Sequence, residues 1–152
     1  MNYSANFSGA LDKAAGLASR TGGLVCTEHL LYGLAAQGGC NAQRILASVR
    51  VTADEVLQLF RLGDQVSRVT MSTRANRAIN NSTALARQTG AAQVNTEHLL
   101  FAVLYDRESV AAQVLEKRWG VDVGSMSSKL WQEMTGATES ARHPPQQTAD
   151  LS

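Results

Sequence analysis

The sequence predicts an all-α fold of two four-helix repeats related by a pseudo-twofold, and three observations carry that expectation. The segment TEHLLYGLA at 27–35 returns as TEHLLFAVL at 96–104. Ahead of each copy apolar residues recur at helical offsets, and no stretch alternates convincingly as a half-buried strand does. Two copies are too few to stack into a solenoid. Each presents more apolar face than four short helices can cover alone, so the halves are expected to close on each other.

The first helix of each copy begins after a serine. With a shift of 68 places, Phe7, Ala10, Leu11, Ala14, Leu17 and Ala18 fall on Ala75, Ala78, Ile79, Ser82, Leu85 and Ala86, which is one helical face. Ser4 and Ser72 are the N-cap candidates, each preceded by an apolar residue, Tyr3 or Met71, and Gly22 or Gly90 is the expected left-handed stop. One extra residue in the second loop moves the shift to 69. Thr27 and Thr96 then read as N-caps of the second helix, because a hydroxyl can accept from an orphaned backbone N–H. Leu30, Leu31 and Leu34, or Leu99, Leu100, Val103 and Leu104, form its inward stripe. The third helix carries Ala42, Ile45, Leu46 and Val49, or Ala111, Val114 and Leu115. The fourth runs from Thr52 past Val56, Leu59 and Phe60, or from Asp122 past Met126 and Leu130 to Met134. One unit at 1–135 therefore holds repeat one (about 3–61), a linker (62–70) and repeat two (about 71–134). The polar stretch GATESARHPPQQTADLS at 136–152 reads as tail or linker, with no specific role for His143, Pro144 or Pro145.

Bulk properties remove several function classes. At 152 residues the chain suits one modest core, and no apolar run approaches the length of a bilayer span, so no membrane partner is expected. The start MNYSANFSGA has neither a basic n-region nor an apolar h-region, which points to a cytoplasmic protein. A net charge of +1 with both signs well mixed offers no footprint for nucleic acid. Cys26 and Cys40 match neither zinc nor Cys-x-x-Cys spacing and are expected to be free thiols. His29 and His98 have no second ligand at metal spacing in their own copies and no nucleophile placed beside them. They are expected to pack near a helix start and donate to oxygens. There is no H-E-x-x-H and no G-x-x-x-x-G-K-S/T, hence no metalloprotease motif and no phosphate-cradling loop. No catalytic residue, metal or cofactor is expected.

The paired TEHLL segments, the helix from Ser72 to Gly90 and SVAAQVL at 109–115 together resemble the double repeat of the Clp amino-terminal domain, the front module of ClpA-, ClpB- and ClpC-type AAA+ unfoldases. The likeness covers about residues 3–134 and looks closest to the ClpC type. It implies an α-helical module tethered to ATPase rings that receives protein substrates and adaptor proteins for unfolding and degradation by a partner peptidase. A free-standing regulator competing for the same ligands is the alternative; a reading frame that continues into Walker motifs would separate the two. A helical hydrolase using His29 or His98 is a third class with little behind it. The sequence departs from the family pattern at GGCNAQ (38–43), where a G-E-G-V-A-A-type turn is usual, and at Asp106-Arg107-Glu108, where a glycine-containing loop is usual.

Glu28 and Glu97 stand in the first turn of their helices, where the helix dipole favours a carboxylate by roughly 0.3–1 kcal/mol. That alone accounts for both. The resemblance implies more: in ClpC-type relatives the glutamate of this triplet holds the guanidinium of phosphorylated arginine, with a hydroxyl at the start of the first helix near the phosphate. Carried over by position, Glu28 is expected with Ser4, and Glu97 with Ser72, Thr27 and Thr96 standing beside the glutamates. A carboxylate can accept from guanidinium nitrogens, and a helix N-terminus with its capping hydroxyl can receive phosphate oxygens. Tyr32 and Phe101 are expected in the core, whereas Trp119 and Trp131 could lie in it or be exposed as anchors. Arg74, Arg77, Arg87, Arg107, Lys117 and Arg118 form no basic run and read as a solvated face.

Overall fold

The computed structural model describes residues 1–136, so the tail expectation for 137–152 lies outside the described residues. In chain order the elements are α1 (Ala5–Ala18), β1 (Leu24–Val25), α2 (Thr27–Ala36), α3 (Asn41–Ser48), α4 (Ala53–Leu57), β2 (Thr70–Met71), α5 (Thr73–Gln88), α6 (Thr96–Tyr105), α7 (Val110–Trp119) and α8 (Val123–Thr135). None of these helices is long and apolar enough to cross a membrane.

Serine caps open both first helices. The Phe7 N–H donates to Ser4 Oγ at 3.0 Å and the Ala75 N–H to Ser72 Oγ at 3.1 Å. The helix ends differ. In α5 the chain leaves through Gly90 at φ 74°, as the sequence predicts. The helix α1 stops at Ala18, earlier in the repeat, because Ser19 Oγ turns back to the Gly16 carbonyl at 2.6 Å and the Gly23 N–H takes the Ala18 carbonyl at 2.8 Å. Gly22 and Gly23, with φ of 104° and 93°, then make a turn that other residues would adopt only under strain.

The leucine ladders of α2 and α6 lie at the centre. Leu30, Leu31, Leu34, Leu99, Leu100 and Leu104 are fully buried in one apolar cluster that runs through both copies. Each contributes roughly 1.5–3 kcal/mol relative to an exposed side chain. Antiparallel partners flank them: α1 packs along α2, and α5 along α6. Gly33 is what lets α1 and α2 approach so closely, since a Cβ there would run into the Ala10 carbonyl oxygen, whereas Gly16 on α1 faces open space. Gly33→Ala is therefore expected to cost about 1–3 kcal/mol, because backbone must move to admit it. Gly16→Ala should instead stabilise by about 0.4–1 kcal/mol through reduced chain entropy. Thermal melts of the two variants check the opposite signs.

Among the described residues there are short strands that the sequence did not suggest. Leu24 pairs with Thr70 and Val25 with Met71 in parallel register, and a matching bridge joins Tyr3 to Val94. Two residues cannot display a period of two, so no alternation was visible. The pairing crosses the pseudo-twofold: the run-in to the first helix of each copy bonds the run-in to the second helix of the other. Ser72 N–H meets Val25 O, and Ser4 N–H meets Val94 O, both at 2.9 Å. The connection between the copies is tied down too, with Gly63 N–H on Arg20 O at 2.7 Å and Val66 N–H on Ser19 O at 2.8 Å.

Candidate functional site

Because the run-ins are exchanged, the first helix of one copy starts beside the second helix of the other. The expected pairs of Glu28 with Ser4 and Glu97 with Ser72 are thus corrected. Ser4 and Glu97 line one cavity of about 420 Å³, together with Asn6, Asn41, Gln93, Asn95 and Thr96. Ser72 lies instead at the Glu28 end of the molecule, next to Cys26 through the β1–β2 pair. The Ser4–Glu97 cavity sits where the starts of α1, α3 and α6 converge, and the starts of α5, α7 and α2 come together likewise near Glu28. Such a place favours negative charge by virtue of its unpaired N–H groups.

Thr27 and Thr96 are not the N-caps the sequence predicts. Cys26 and Asn95 hold those positions with extended backbone, and the threonines are the first helical residues. Their hydroxyls reach across the pseudo-twofold: Thr27 Oγ1 accepts from the Ala111 N–H at 3.3 Å, and Thr96 Oγ1 from the Ala42 N–H at 3.4 Å. Both threonines are buried, as are both alanines. Each therefore caps the third helix of the opposite copy, complementing Ser109 and Cys40, which serve the next N–H of α7 and α3.

The histidines secure the same helix starts. Nδ1 of His29 accepts from the Cys26 N–H at 2.9 Å and Nδ1 of His98 from the Asn95 N–H at 2.8 Å, the place a glutamate takes in a capping box. With Nδ1 accepting, the proton of His29 lies on Nε2, which donates to Thr21 Oγ1 at 2.8 Å. Burial pushes both imidazoles below the ordinary histidine range, against the opposing pull of Glu28 on His29 and of Glu97 on His98. The fold thus keeps them neutral while the unfolded chain takes up protons near pH 6.5. Stability should be whole above that pH and fall as pH drops from there toward the depressed folded values, levelling off below them. Melts between pH 7.5 and 4.5 are expected to show this loss, and His29→Gln/His98→Gln to flatten that part of the profile.

Cys26, Glu28 and His29 bring ligand atoms within 4.8 Å of one another, the one such group among the described residues. Both His29 nitrogens are already engaged, so a cation would have to break the start of α2. Burial, then the Glu28 charge, raises the Cys26 thiol, opposing thiolate formation, while a bond with Ser72 lowers it. Among the described residues Glu97 meets only the long contact from Asn41 Nδ2 at 3.5 Å, and Glu28 has one buried oxygen, Oε1, with no partner.

The aromatic and basic residues fall into place around this frame. Phe101 and Trp131 are buried, and Tyr32 packs against the core while partly exposed. Trp119 is half-buried with Nε1 directed to Glu55 at 3.4 Å. Arg74 pairs with Asp106 at 2.7 Å and Arg107 with Glu116 at 2.8 Å, so part of the basic face is neutralised. Asn6, Gln93 and Asn95 carry no signal in the sequence, and Asn41 stands out only as part of the departing turn at 38–43, since three distant segments must meet before their shared cleft exists.

Known proteins agree with this architecture. Residues 70–152, over half of the chain, match the family described as Clp repeat (R) N-terminal domain. The chain is 35% identical over 114 residues to a ClpA homolog, the ATP-binding subunit of a Clp protease, from Porphyra purpurea, covering 71% of this chain. It is 32% identical to the chaperone ClpB of Oceanobacillus iheyensis, over 75% of the chain, and 32% identical to ClpC/MecB, a negative regulator of genetic competence in Bacillus subtilis, over 74%. In each case the aligned part is only 14% of the relative's length. Two solved N-terminal domains share the fold. That of ClpD from Arabidopsis thaliana superposes with a TM-score of 0.68 at 16% identity, covering 88% of this chain and 97% of its own. That of Hsp104 from Candida albicans gives 0.68 at 16%, covering 91% and 94%.

Proposed function

We propose, because this chain belongs to the Clp repeat N-terminal domain family, that it is the non-catalytic receptor of a Clp-type AAA+ unfoldase. It binds protein substrates and adaptor proteins in the cytoplasm and delivers them to an ATPase ring and its associated peptidase. The ligand group that fits the site is a phosphorylated arginine side chain. The observation that supports this most directly is the cavity in which the Glu97 carboxylate and the Ser4 hydroxyl stand together at converging helix starts. A guanidinium would donate to the carboxylate, while the phosphate oxygens would meet helix N–H groups and neutral amide side chains. Glu28 and Ser72 form the related site across the pseudo-twofold. Thr27 and Thr96 belong to these sites as supports, because their hydroxyls are already spent on Ala111 and Ala42.

Titrating free phosphoarginine into the wild-type chain and into Glu28→Ala/Glu97→Ala tests this reading. The double variant is expected to lose binding; equal affinity in both would remove these glutamates from the site. Capture of a cognate ATPase ring in its full-length form, or of arginine-phosphorylated protein, tests the wider role.

A further inference from the structure

The Ser4–Glu97 cavity is lined by one carboxylate and, among the described residues, by no lysine or arginine. A phosphate there must be met by neutral donors, so the direction in which each amide side chain points decides what the cavity accepts. For Asn6 that direction is fixed from outside the cavity. Lys13 Nζ donates to Gln37 Oε1 at 2.8 Å, and an ammonium can only donate. The other end of the Gln37 amide, Nε2, therefore turns to Asn6 and donates to its Oδ1 at 3.0 Å. Nδ2, the donor end of Asn6, is left to the cavity. The Gln37 amide lies across Gly9 on α1, where an added Cβ would collide with it. The other copy makes the same link with charge. Matching the copies place by place, Asn6 corresponds to Arg74 and Gln37 to Asp106, and Arg74 Nη1 donates to the two Asp106 oxygens at 2.7 and 2.9 Å. Every nitrogen of a guanidinium is a donor, so Arg74 needs no orienting, and the neutral Asn81 stands in the place of Lys13. An asparagine can present a donor or an acceptor, and Lys13 makes that choice.

Resting on the phosphoarginine reading above, we propose that Lys13 and Gln37 form a one-way relay of hydrogen bonds that holds Asn6 Nδ2 as a donor into the Ser4–Glu97 cavity. Asn6 is then the residue that sets a preference for phosphorylated over bare arginine. Glu97 takes the guanidinium, which both ligands carry. Asn6 Nδ2 takes a phosphate oxygen, which only the modified side chain has. Lys13 and Gln37 line no part of the cavity and act as positioning residues, deciding which end of one amide the ligand meets. With the Asn6 amide turned over, its carbonyl oxygen would face the phosphate and acceptor would meet acceptor.

The test titrates free phosphoarginine and free arginine into the whole ¹⁵N-labelled chain, as wild type, Gln37→Glu and Gly9→Ala, and follows the side-chain amide of Asn6. In wild type the Nδ2 signal is expected to move with phosphoarginine and to stay in place with arginine. Gln37→Glu keeps a partner for Lys13 but offers Asn6 only acceptors, so the amide turns over. Phosphoarginine should then weaken by roughly 10- to 100-fold, the weight of a hydrogen bond to a charged group. Gly9→Ala displaces the Gln37 amide without changing charge and should weaken phosphoarginine by roughly 2- to 10-fold. Alanine is the better helix former, so an unchanged or raised Tm in this variant separates the loss from unfolding. Both variants should bind arginine about as wild type does. Phosphoarginine affinity untouched by Gln37→Glu overturns the relay. A loss confined to Gln37→Glu, with Gly9→Ala binding as wild type, marks plain charge repulsion and overturns it too; either result leaves the cavity as the phosphoarginine site. Wild type that takes no phosphoarginine overturns the site and the relay together.

Discussion

Replacing Thr27 and Thr96 together by valine is expected to destabilise the fold by about 2–6 kcal/mol, with each substitution contributing about 1–3 kcal/mol. Valine keeps the shape of threonine but offers no acceptor to the N–H of Ala111 or Ala42. Those N–H groups are the second of their helices, and Ser109 and Cys40 already serve the third. Both alanines are buried, so water does not replace the lost hydroxyl. Thr27→Ser/Thr96→Ser keeps the hydroxyl and should recover most of the loss. Urea denaturation of the three chains measures it. A valine pair as stable as wild type would show that the cross-caps contribute nothing.

Phe7→Ala should cost about 3–5 kcal/mol, or a fall in Tm of roughly 6–20 °C for a chain of this size. Phe7 is fully buried at the start of α1, and its ring stacks on Tyr3 with centroids 4.5 Å apart and planes 13° from parallel. The matching residue in the second copy is Ala75, so the substitution makes the copies more alike. Similarity offers no protection here. Packing around Phe7 has formed against a ring, and the void left by its removal is lined by side chains that collapse only in part. Phe7→Leu should retain more than half of that stability in the same melts.

The helices were legible because each repeats a local code. Ser4 and Ser72 act as caps, Leu30 and Leu99 open the inward ladders, and Thr52 and Asp122 start the fourth helices, all through interactions within one turn of chain. Glu28 and Glu97 stood out for the same reason, as repeated carboxylates at helix starts. Where local sequence misleads, the partner comes from the other copy. Thr27 looks like a cap from its neighbours alone, yet its hydroxyl serves a helix 84 residues away. Asn95 precedes a repeated triplet without being repeated itself, so no pattern drew attention to it or to Gln93.

By itself the sequence determined that the chain is helical, that it is built twice, and which face of each helix is apolar, since helical periodicity and capping act over a few residues. Tertiary structure alone decided which serine meets which glutamate. The short parallel pairs of Leu24 with Thr70 and Tyr3 with Val94 exchange the run-ins between copies, and that exchange moves Ser4 to Glu97. The physical reason is that backbone pairing between segments far apart in the chain is chosen by how two apolar faces close together, a quantity that neither copy carries alone.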